Sequence, residues 1–247
     1  ELTTPDCTSN HKLLREMVAS ECDAAVMEVT SHALDQGRTK GIEFDRVVFT
    51  NLSQDHLDYH QTMDRYRSSK AQLFSKPNLK KGAMAIINGD SLESDFMVRS
   101  FKGEVWRYGT SKECDVRTLD AMFDSDKTEF TLEAFGKSCF VSLPLIGEFN
   151  LSNALAAAAI ALSHGIDIEV VASRLSSFEG IPGRMERVET NLTSVYVDFA
   201  HTPDAIRNAL EALAPVTKGR LIIVFGAGGE RDLGKRKEMG AIAGKLA

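Results

Sequence analysis

The stretch Val47-Val-Phe-Thr-Asn-Leu-Ser-Gln-Asp-His-Leu-Asp-Tyr-His60 joins a short apolar run to a dense group of polar side chains. Its first four residues are aromatic or β-branched, which predicts a buried strand. Asn51 would follow the carboxyl end of that strand, where open α/β sheets place their ligands. His56 can offer a ring nitrogen to a divalent cation, and Asp55 and Asp58 can orient the ligands around it. For an isolated Asp-His-x-Asp, a polar loop that caps a helix is the commoner explanation.

The segments after this stretch predict an α/β fold with a small antiparallel element. Residues 66–74 predict a helix that carries Lys70, fourteen positions after His56, and the apolar run 83–87 predicts a second buried strand. Three later segments alternate polar and apolar residues with period two, which is typical of antiparallel strands with one face in water. They are residues 105–108, 127–133 and 138–143.

The second half of the chain predicts helices at 154–164 and 167–177, then a Pro- and Gly-containing linker at 180–187. A strand from Val195 leads to a helix with Thr202 as N-cap and Pro203 at its first position.

Residues 221–225 predict another strand, which ends in a Gly-rich loop that could bind an anion or a dinucleotide. The G-x-G-x-x-G spacing of dinucleotide sites fails, because Gly226 and Gly228 are followed by Arg231.

Composition excludes several classes of protein. Of 247 residues, 43% are hydrophobic and 26% are charged, and 29 basic against 35 acidic residues give a net charge of −6. We therefore expect a soluble protein with no nucleic-acid partner. No apolar run approaches the ~20 residues of a membrane span, and no signal peptide is visible. The four cysteines are scattered without a C-x-x-C pair, which favours a reduced, cytoplasmic protein.

Together the motifs resemble the Mur ligase family, and most closely its MurE type, which adds the third residue of the peptidoglycan stem peptide. The matching motifs are T-T-P at 3–5, E-V-T-S-H-A-L-D-Q-G-R at 28–38, D-H-L-D-Y-H at 55–60, F-N-L-S-N at 149–153, P-G-R-M-E at 182–186, D-F-A-H-T-P-D at 198–204 and G-G-E-R-D at 228–232. Thr30 departs from the family's serine but keeps the hydroxyl.

The resemblance assigns roles to residues in these motifs. It implies that Glu28, His56 and Lys70 bind Mg²⁺. Of these, Lys70 would be carbamylated, and Lys70 and His56 would be the catalytic residues. It implies contacts to a UDP-muramoyl-peptide substrate from Thr3, Thr4, Thr30, Gln36 and Arg38, and to the incoming amino acid from Arg231. It implies contacts to ATP from Asn150, Asn153, Arg184, Asp198 and His201.

Several of these residues have simpler explanations. Thr3 and Thr4 could cap a helix at residues 9–20, Asn150 could cap a helix, and Glu28 could pair with a basic neighbour. Arg38 suits a site by its own chemistry, because a guanidinium binds phosphate or carboxylate with two parallel hydrogen bonds.

The expected function is ATP-dependent amide bond formation, with Mg²⁺ as cofactor and ATP as co-substrate. The expected partners are UDP-N-acetylmuramoyl-dipeptide and a diamino acid, meso-diaminopimelate in preference to L-lysine, and the expected state is a monomer. We predict a central ATP- and Mg²⁺-binding domain at 1–180 and the start of a Rossmann-like domain at 181–247. The chain begins with Glu1 and ends inside an apparent helix, so a fragment is expected. The family's G-x-x-G-K-[ST] phosphate loop lies upstream of T-T-P, so we expect no ATP turnover by these residues alone.

Three alternatives remain open at this point. A folylpolyglutamate synthetase-like ligase shares the ATP and Mg²⁺ chemistry, but T-T-P, E-V-T-S-H and G-G-E-R-D favour the MurE type. A non-catalytic nucleotide- or substrate-binding module is the second alternative. A metal-dependent hydrolase using Asp55, His56 and His60 is the third, and it would act without ATP.

Overall fold

The computed structural model describes residues 2–188, 193–227 and 234–247. A six-stranded sheet forms its centre, with strand order β1-β2-β3-β4-β5-β6. The strands are β1 (Phe44–Phe49), β2 (Leu79–Asn88), β3 (Val105–Gly109), β4 (Val116–Phe123), β5 (Thr128–Ala134) and β6 (Lys137–Leu143). The first four strands pair in parallel, and β4, β5 and β6 pair antiparallel. The predicted mixed α/β architecture is therefore confirmed.

Helices flank this sheet and a second, two-stranded antiparallel sheet follows it. The helices before the second sheet are α1 (Cys7–Ala19), α2 (Ser31–Asp35), α3 (Leu57–His60), α4 (Met63–Ala71), α5 (Ser94–Val98), α6 (Glu148–Ser163) and α7 (Ile168–Ser176). The second sheet contains β7 (Glu186–Val188) and β8 (Val195–Val197), and it is followed by α8 (Pro203–Leu213) and α9 (Gly234–Leu246). In the part of the chain that the structure describes, no helix combines the length and apolarity needed to cross a bilayer.

The strand β2, which lies between β1 and β3, is buried on both faces along its apolar run, as that run predicts. Met84 and Ile86 point to the core that α6 and α7 cover. Ala85 and Ile87 point to the opposite core, which also contains Phe74 from the turn after α4. The edge strand β1 pairs with β2 in parallel, from Phe44 opposite Leu79 to Phe49 opposite Ile87.

Short capped helices lie at that carboxyl end. Thr62 caps α4 by accepting the N–H of Arg65, and the Ser69 hydroxyl of α4 donates to the Ser31 carbonyl of α2 at 2.7 Å. The one-turn helix α3 is joined to α2 by the contact of His60 Nε2 with Ser31 Oγ at 2.9 Å. Residues from three segments are thus held together where β1 ends.

The structure corrects the strand type that we predicted for residues 105–108. We predicted them as part of an antiparallel element, but β3 is a parallel strand of the main sheet, with Ala85 opposite Val105. The alternation in sequence does not reflect alternating burial, because the first three residues of β3 are all partly buried and the last two are buried. The strand β4 was not predicted.

Two further predictions fail in the second half. Residues 221–225 form no ladder with any described residue, and Val224 is 94% exposed. The helix predicted from 154 begins at Glu148, so Asn150 lies inside α6 and is not its cap.

The N-cap of α1 is Asp6, which accepts the N–H of Ser9, and neither Thr3 nor Thr4 serves as that cap. The Thr202 cap and Pro203 of α8 are confirmed. The domain division at 180 stays a prediction.

Candidate functional site

Lys70 lies in the last turn of α4 with its ammonium half-buried at the carboxyl end of β1. Burial lowers the pKa of Lys70, although the carboxylates of Glu28 and Asp55 act in the opposite direction. Its Nζ lies 5.2 Å from the centre of the Tyr66 ring. Among the described residues the ammonium has no hydrogen bond and no ion pair. A buried cation without a close partner is costly, and such groups concentrate at functional sites.

His56 is held next to this lysine by its own neighbour. Its backbone is left-handed, with φ of 55°. That region is unfavourable for a residue with a Cβ, and such strain clusters at functional sites. Asp55 accepts the His56 N–H at 2.8 Å, and its other oxygen lies 3.6 Å from His56 Nε2. Asp55 therefore fixes the backbone of His56 and lies near its ring.

Aromatic rings surround His56 and Lys70. The rings of His56 and His32 lie 4.8 Å apart, and His60 stacks on Tyr66 with 5.1 Å between ring centres. Burial lowers the pKa of His32 and that of His60, so both rings favour the neutral form. Burial also raises the pKa of Tyr66 to about 12. The rings of His32, His60 and Tyr66 are therefore neutral neighbours of this site. The charged groups that act on Lys70 are the carboxylates of Glu28 and Asp55.

Four of the five residues predicted to hold the muramoyl-peptide substrate are joined by hydrogen bonds, and together with Thr3 we call them the Arg38 group. It consists of Thr3, Thr4, Thr30, Gln36 and Arg38. The Arg38 guanidinium donates from Nε and Nη2 to Gln36 Oε1 at 3.0 and 2.5 Å, and from Nη1 to the Thr4 carbonyl at 3.0 Å. The structure thus brings together segments that lie 34 positions apart in sequence.

Thr4 and Thr30 have structural tasks within this group. Thr4 is 1% exposed, and its hydroxyl donates to the Glu28 carbonyl at 2.8 Å and accepts the Thr30 N–H at 3.1 Å. Thr30 in turn caps α2 through the N–H of Ala33. Thr3 is exposed. Thr4 therefore ties the T-T-P segment to Glu28, whereas Thr3 is free to meet a ligand.

Asn10 is a structural residue of this group that the sequence analysis missed. Its side chain is buried, and Nδ2 donates to the carbonyls of Pro5 and Arg38, both at 3.0 Å. Its Oδ1 is buried without a partner. A polar residue on the inner face of α1 was the available signal, but the Arg38 carbonyl lies 28 positions away and no local pattern identifies it.

The residues predicted to contact ATP form a second group, which we call the Arg184 group. It consists of Asn150, Asn153, Arg184, Asp198 and His201. Asp198 accepts the N–H of Met185 at 2.9 Å and that of Ala200 at 2.8 Å. The Asp198 carboxylate therefore ties the linker to the end of β8.

Phe199 links Arg184 and His201. The Arg184 guanidinium lies 5.1 Å from the centre of the Phe199 ring, and the His201 ring lies 4.9 Å from it. His201 Nδ1 also lies 2.9 Å from the Phe199 carbonyl. Arg184 and His201 are both exposed, so each can still reach a ligand.

The two asparagines lie at the start of α6. Asn150 is buried and donates from Nδ2 to the Ile146 carbonyl at 2.9 Å, whereas Asn153 is exposed. Gly147 precedes the helix with φ of 93°, and a Cβ there would lie 3.0 Å from the Cβ of Ala212 in α8. Glycine therefore lets the start of α6 approach α8.

A cavity of about 290 Å³ lies between the β6–α6 connection and the linker. It is lined by residues of both signs of charge and by apolar residues, namely Asp126, Pro144, Leu145, Ile146, Glu179, Gly180, Ile181, Pro182, Arg184, Met185, Glu186, Arg187 and Tyr196. Arg184 lines this cavity, and so does Ile146, whose carbonyl accepts a hydrogen bond from Asn150.

Arg231, predicted to bind the incoming amino acid, lies outside the described residues.

The metal prediction rests on Glu28, His56 and Lys70. Within the described ranges, no three side chains of His, Cys, Asp or Glu are grouped so as to hold a metal ion. The predicted set contains only two such side chains, because its third ligand is a modified lysine. Glu28 and Asp55 both act on Lys70 electrostatically, and their carboxylates are oxygen donors of the kind Mg²⁺ prefers. The chemistry of these side chains therefore suits the ion, and the metal site stays a prediction.

Comparison with known proteins gives consistent matches over the whole chain. The family model for the Mur ligase middle domain matches residues 1–161, and the model for the Mur ligase, glutamate ligase domain matches residues 183–247. The chain is 46% identical to the UDP-N-acetylmuramoyl-L-alanyl-D-glutamate--2,6-diaminopimelate ligase of Gloeobacter violaceus, a match that covers 99% of this chain and 50% of that protein. The chain spans about half the length of the curated relatives it matches.

Solved structures agree with these sequence matches. A structure of UDP-N-acetylmuramoyl-L-alanyl-D-glutamate--2,6-diaminopimelate ligase is similar with a TM-score of 0.77 and 33% identity, over 98% of this chain and 50% of that one. The MurF ligase of Thermotoga maritima, in complex with ADP, has a TM-score of 0.61 and 22% identity, over 71% of this chain and 40% of that one. The second similarity is one of fold alone.

Proposed function

The chain belongs to the Mur ligase family, and from that premise we propose that it is part of an ATP-dependent ligase of the MurE type. The reaction would join a carboxyl group of UDP-N-acetylmuramoyl-L-alanyl-D-glutamate to an amine of a diamino acid. The relatives named as 2,6-diaminopimelate ligases favour diaminopimelate over L-lysine as that amino acid. The observation that carries the proposal is the Lys70 ammonium, which is half-buried and forms no ion pair with any described residue. The carboxylates of Glu28 and Asp55 act on it, and the Arg38 group lies next to Glu28.

Lys70 is the residue that we assign to the centre of the chemistry. Because burial lowers its pKa, more of its side chain is the neutral amine, which is the form that captures CO₂. The amine nitrogen forms a bond to the carbon of CO₂ and releases a proton, giving a carbamate. A carbamate beside Glu28 and Asp55 would place three negative groups together, and a divalent cation relieves that repulsion.

Glu28, His56 and the Lys70 carbamate would hold Mg²⁺, which neutralises negative charge when ATP and the substrate carboxylate approach each other. Asp55 keeps His56 in place for this task. Thr4 and Thr30 fix the backbone of Glu28 from the other side. The three ligands would thus be supported by hydrogen bonds that do not depend on the ion.

The Arg38 group would hold the muramoyl-peptide substrate. Its arginine is half-buried and already fixed on one side by Gln36 and Thr4, so it can bind an oxyanion with little loss of side-chain entropy. The substrate carboxylate would attack the γ-phosphorus of ATP, form an acyl phosphate and release ADP. The amine of the diamino acid would then attack the acyl carbon, release phosphate and lose a proton.

ATP would be bound at the Arg184 group. Arg184 and His201 are exposed and both lie against the Phe199 ring, and Arg184 lines the cavity of about 290 Å³. Asn150 and Asn153 lie at the start of α6, next to Ile146 of that cavity. Arg231 would bind the carboxylate of the incoming amino acid. We expect the enzyme to be cytoplasmic, where a substrate linked to UDP is available, and to be a monomer.

The direct experiment uses the full-length protein with ATP, Mg²⁺, the UDP-linked dipeptide and either diaminopimelate or L-lysine. We expect ADP release that requires both the dipeptide and diaminopimelate, together with a product heavier than the dipeptide by diaminopimelate less one water. ADP release or product formation with L-lysine alone would reassign the acceptor. Binding of the dipeptide without any ADP release would instead support a non-catalytic module.

A further inference from the structure

Four side chains form a linear series from Asp35 to Arg38. The Tyr59 hydroxyl lies 2.6 Å from Asp35 Oδ2, and Gln36 Nε2 lies 3.3 Å from the Tyr59 hydroxyl. Gln36 Oε1 then receives two hydrogen bonds from Arg38, at 3.0 and 2.5 Å. Tyr59 lies 23 positions from Gln36 in sequence, so the series exists only in the folded chain.

The chemistry of the series fixes the direction of each hydrogen bond. A carboxylate can only accept, so the Tyr59 proton must point to Asp35. The Tyr59 oxygen can then accept, and Gln36 must turn its amide nitrogen toward it. With its nitrogen facing Tyr59, Gln36 presents its oxygen to Arg38, which can only donate. The reversed amide would place two donors, Gln36 Nε2 and the guanidinium, against each other.

This arrangement decides which part of the guanidinium is left for a ligand. Arginine has five N–H groups. Gln36 accepts from two of them and the Thr4 carbonyl accepts from a third. Two N–H groups remain without a partner among the described residues. Two is the number that bidentate binding of an oxyanion needs.

We propose that Tyr59, held by Asp35, is a positioning residue that sets the Gln36 amide and thereby aims the two remaining N–H groups of Arg38, one on each Nη, at an oxyanion of the muramoyl-peptide substrate. The inference rests on the proposed function. Tyr59 acts through Gln36 and does not itself contact the substrate.

The surroundings of Tyr59 suit this role. Its ring packs against the His32 ring with 4.2 Å between centres and an interplanar angle of 38°. It also lies 4.8 Å from the ring of His60, which is buried. The Tyr59 side chain is 37% exposed, so its ring is fixed on one side by α2 and α3 while its hydroxyl reaches the surface. A tyrosine held in this way fixes the position of the Gln36 amide relative to Asp35.

The test compares Tyr59→Phe with the unchanged full-length enzyme. Phenylalanine keeps the ring and removes only the hydroxyl, so Gln36 loses the group that fixes its amide. We expect the KM for the UDP-linked dipeptide to rise about 3- to 10-fold, as for the loss of one such hydrogen bond. The KM for ATP and kcat should stay within about twofold.

Tyr108→Phe is the matched control. Tyr108 is fully buried in β3, and its hydroxyl lies 3.3 Å from the Phe49 carbonyl. Loss of that hydroxyl should lower thermal stability and leave both KM values unchanged. An equal rise in the dipeptide KM for both tyrosine variants would mean that Tyr59 acts only on stability, and would overturn the proposal.

A double substitution separates positioning from direct contact. In a Gln36→Leu background, Tyr59→Phe should change the dipeptide KM by less than about twofold, because the residue it positions is absent. The same 3- to 10-fold rise in that background would show that Tyr59 touches the substrate itself, and would contradict a positioning role. If the unchanged enzyme does not use the dipeptide at all, the proposed function fails; if it does and Tyr59→Phe has no effect, only this inference fails.

Discussion

The Arg38 group and the Arg184 group differ in what holds their side chains. In the Arg38 group, hydrogen bonds join residues that are distant in sequence, such as Thr4 with Glu28, 24 positions apart, and Thr4 with Arg38, 34 positions apart. In the Arg184 group, His201 bonds to a carbonyl two positions away and Asn150 to one four positions away. The first group is therefore positioned by the tertiary fold, and most of the second by its local backbone.

This difference has consequences for mutation. A substitution in the Arg38 group or the adjoining Lys70 centre (Glu28, His56 and Lys70) removes a contact that several segments share. We expect such a change to affect both binding and stability. In and around the Arg184 group a substitution removes a local bond, so its effect should be smaller and confined to one property.

The largest effect is expected at Lys70. In the full-length enzyme, Lys70→Ala should lower kcat for ligation by at least about 10²- to 10³-fold, the range for removing a preorganised group that stabilises transition-state charge. Small carboxylic acids should partly restore the rate, because their oxygens can occupy the place of the carbamate. Steady-state ADP release with and without added acetate or formate measures both effects.

Lys80→Ala is the control for this experiment. Lys80 is exposed on β2 and pairs with Asp45 at 2.8 Å, far from the proposed chemistry. Its loss should leave kcat unchanged and insensitive to the added acids. An active Lys70→Ala enzyme, or equal rescue of both variants, would remove Lys70 from the mechanism.

Arg38 should give the next largest effect. Arg38→Ala should raise the KM for the UDP-linked dipeptide about 10- to 150-fold, since a charge-assisted hydrogen-bonded contact contributes roughly 1.5–3 kcal/mol. Arg38→Lys should restore little, because a lysine cannot bond Gln36, Thr4 and an oxyanion in the same geometry. Initial-rate kinetics with the dipeptide and ATP varied separately distinguish the two substrates.

Arg46→Ala is the matched control for Arg38. Arg46 also uses its guanidinium within the protein, donating to the Ser163 hydroxyl and carbonyl, both at 2.9 Å. Its removal should reduce stability without changing the dipeptide KM. A similar KM rise for both arginines would assign the Arg38 effect to folding.

Thr4→Val sharpens the comparison through stability. Valine has nearly the same shape, but it leaves the Glu28 carbonyl and the Thr30 N–H without their partner in a site where Thr4 is 1% exposed. An unsatisfied buried group costs about 1–3 kcal/mol, so we expect a decrease of that size in the free energy of unfolding. Urea denaturation measures this free energy. An unchanged midpoint would show that the Thr4 hydrogen bonds to Glu28 and Thr30 do not stabilise the fold.

Thr202→Ala should give the smallest effect. Thr202 caps α8 by accepting the N–H of Ala205 at 3.2 Å, a local bond beside the Arg184 group. Loss of an N-cap costs about 0.5–2 kcal/mol, which should appear in the same urea experiment. The KM for ATP should change by less than about twofold. A large change in that KM would mean that Thr202 belongs to the nucleotide site and would weaken the contrast between the two groups.

Local patterns predicted the elements that carry the site. The buried run at 83–87, the helix with Lys70 and the Thr202 cap of α8 are all determined by neighbouring residues, and all are present. The same kind of pattern failed where pairing decides the outcome. Residues 105–108 alternate like an antiparallel strand but pair in parallel, and 221–225 form no ladder with a described residue.

The site itself was only partly predictable. Motifs identified Gln36 and Arg38, but they could not show that Gln36 donates to the Tyr59 hydroxyl or that Asn10 donates to the Arg38 carbonyl. Those hydrogen bonds join residues 23 and 28 positions apart, and they depend on how α1, α2 and α3 pack. Tertiary packing of this kind leaves no periodic signal in the sequence.

The central claim is that Lys70 carries a carbamate in the working enzyme. The most direct measurement is the ¹³C NMR spectrum of the full-length enzyme equilibrated with ¹³C-labelled bicarbonate and Mg²⁺. We expect one protein-bound carbamate signal in the active enzyme and its loss in Lys70→Ala, with Lys80→Ala unchanged. An active enzyme without this signal, or a signal that persists in Lys70→Ala, would contradict the account.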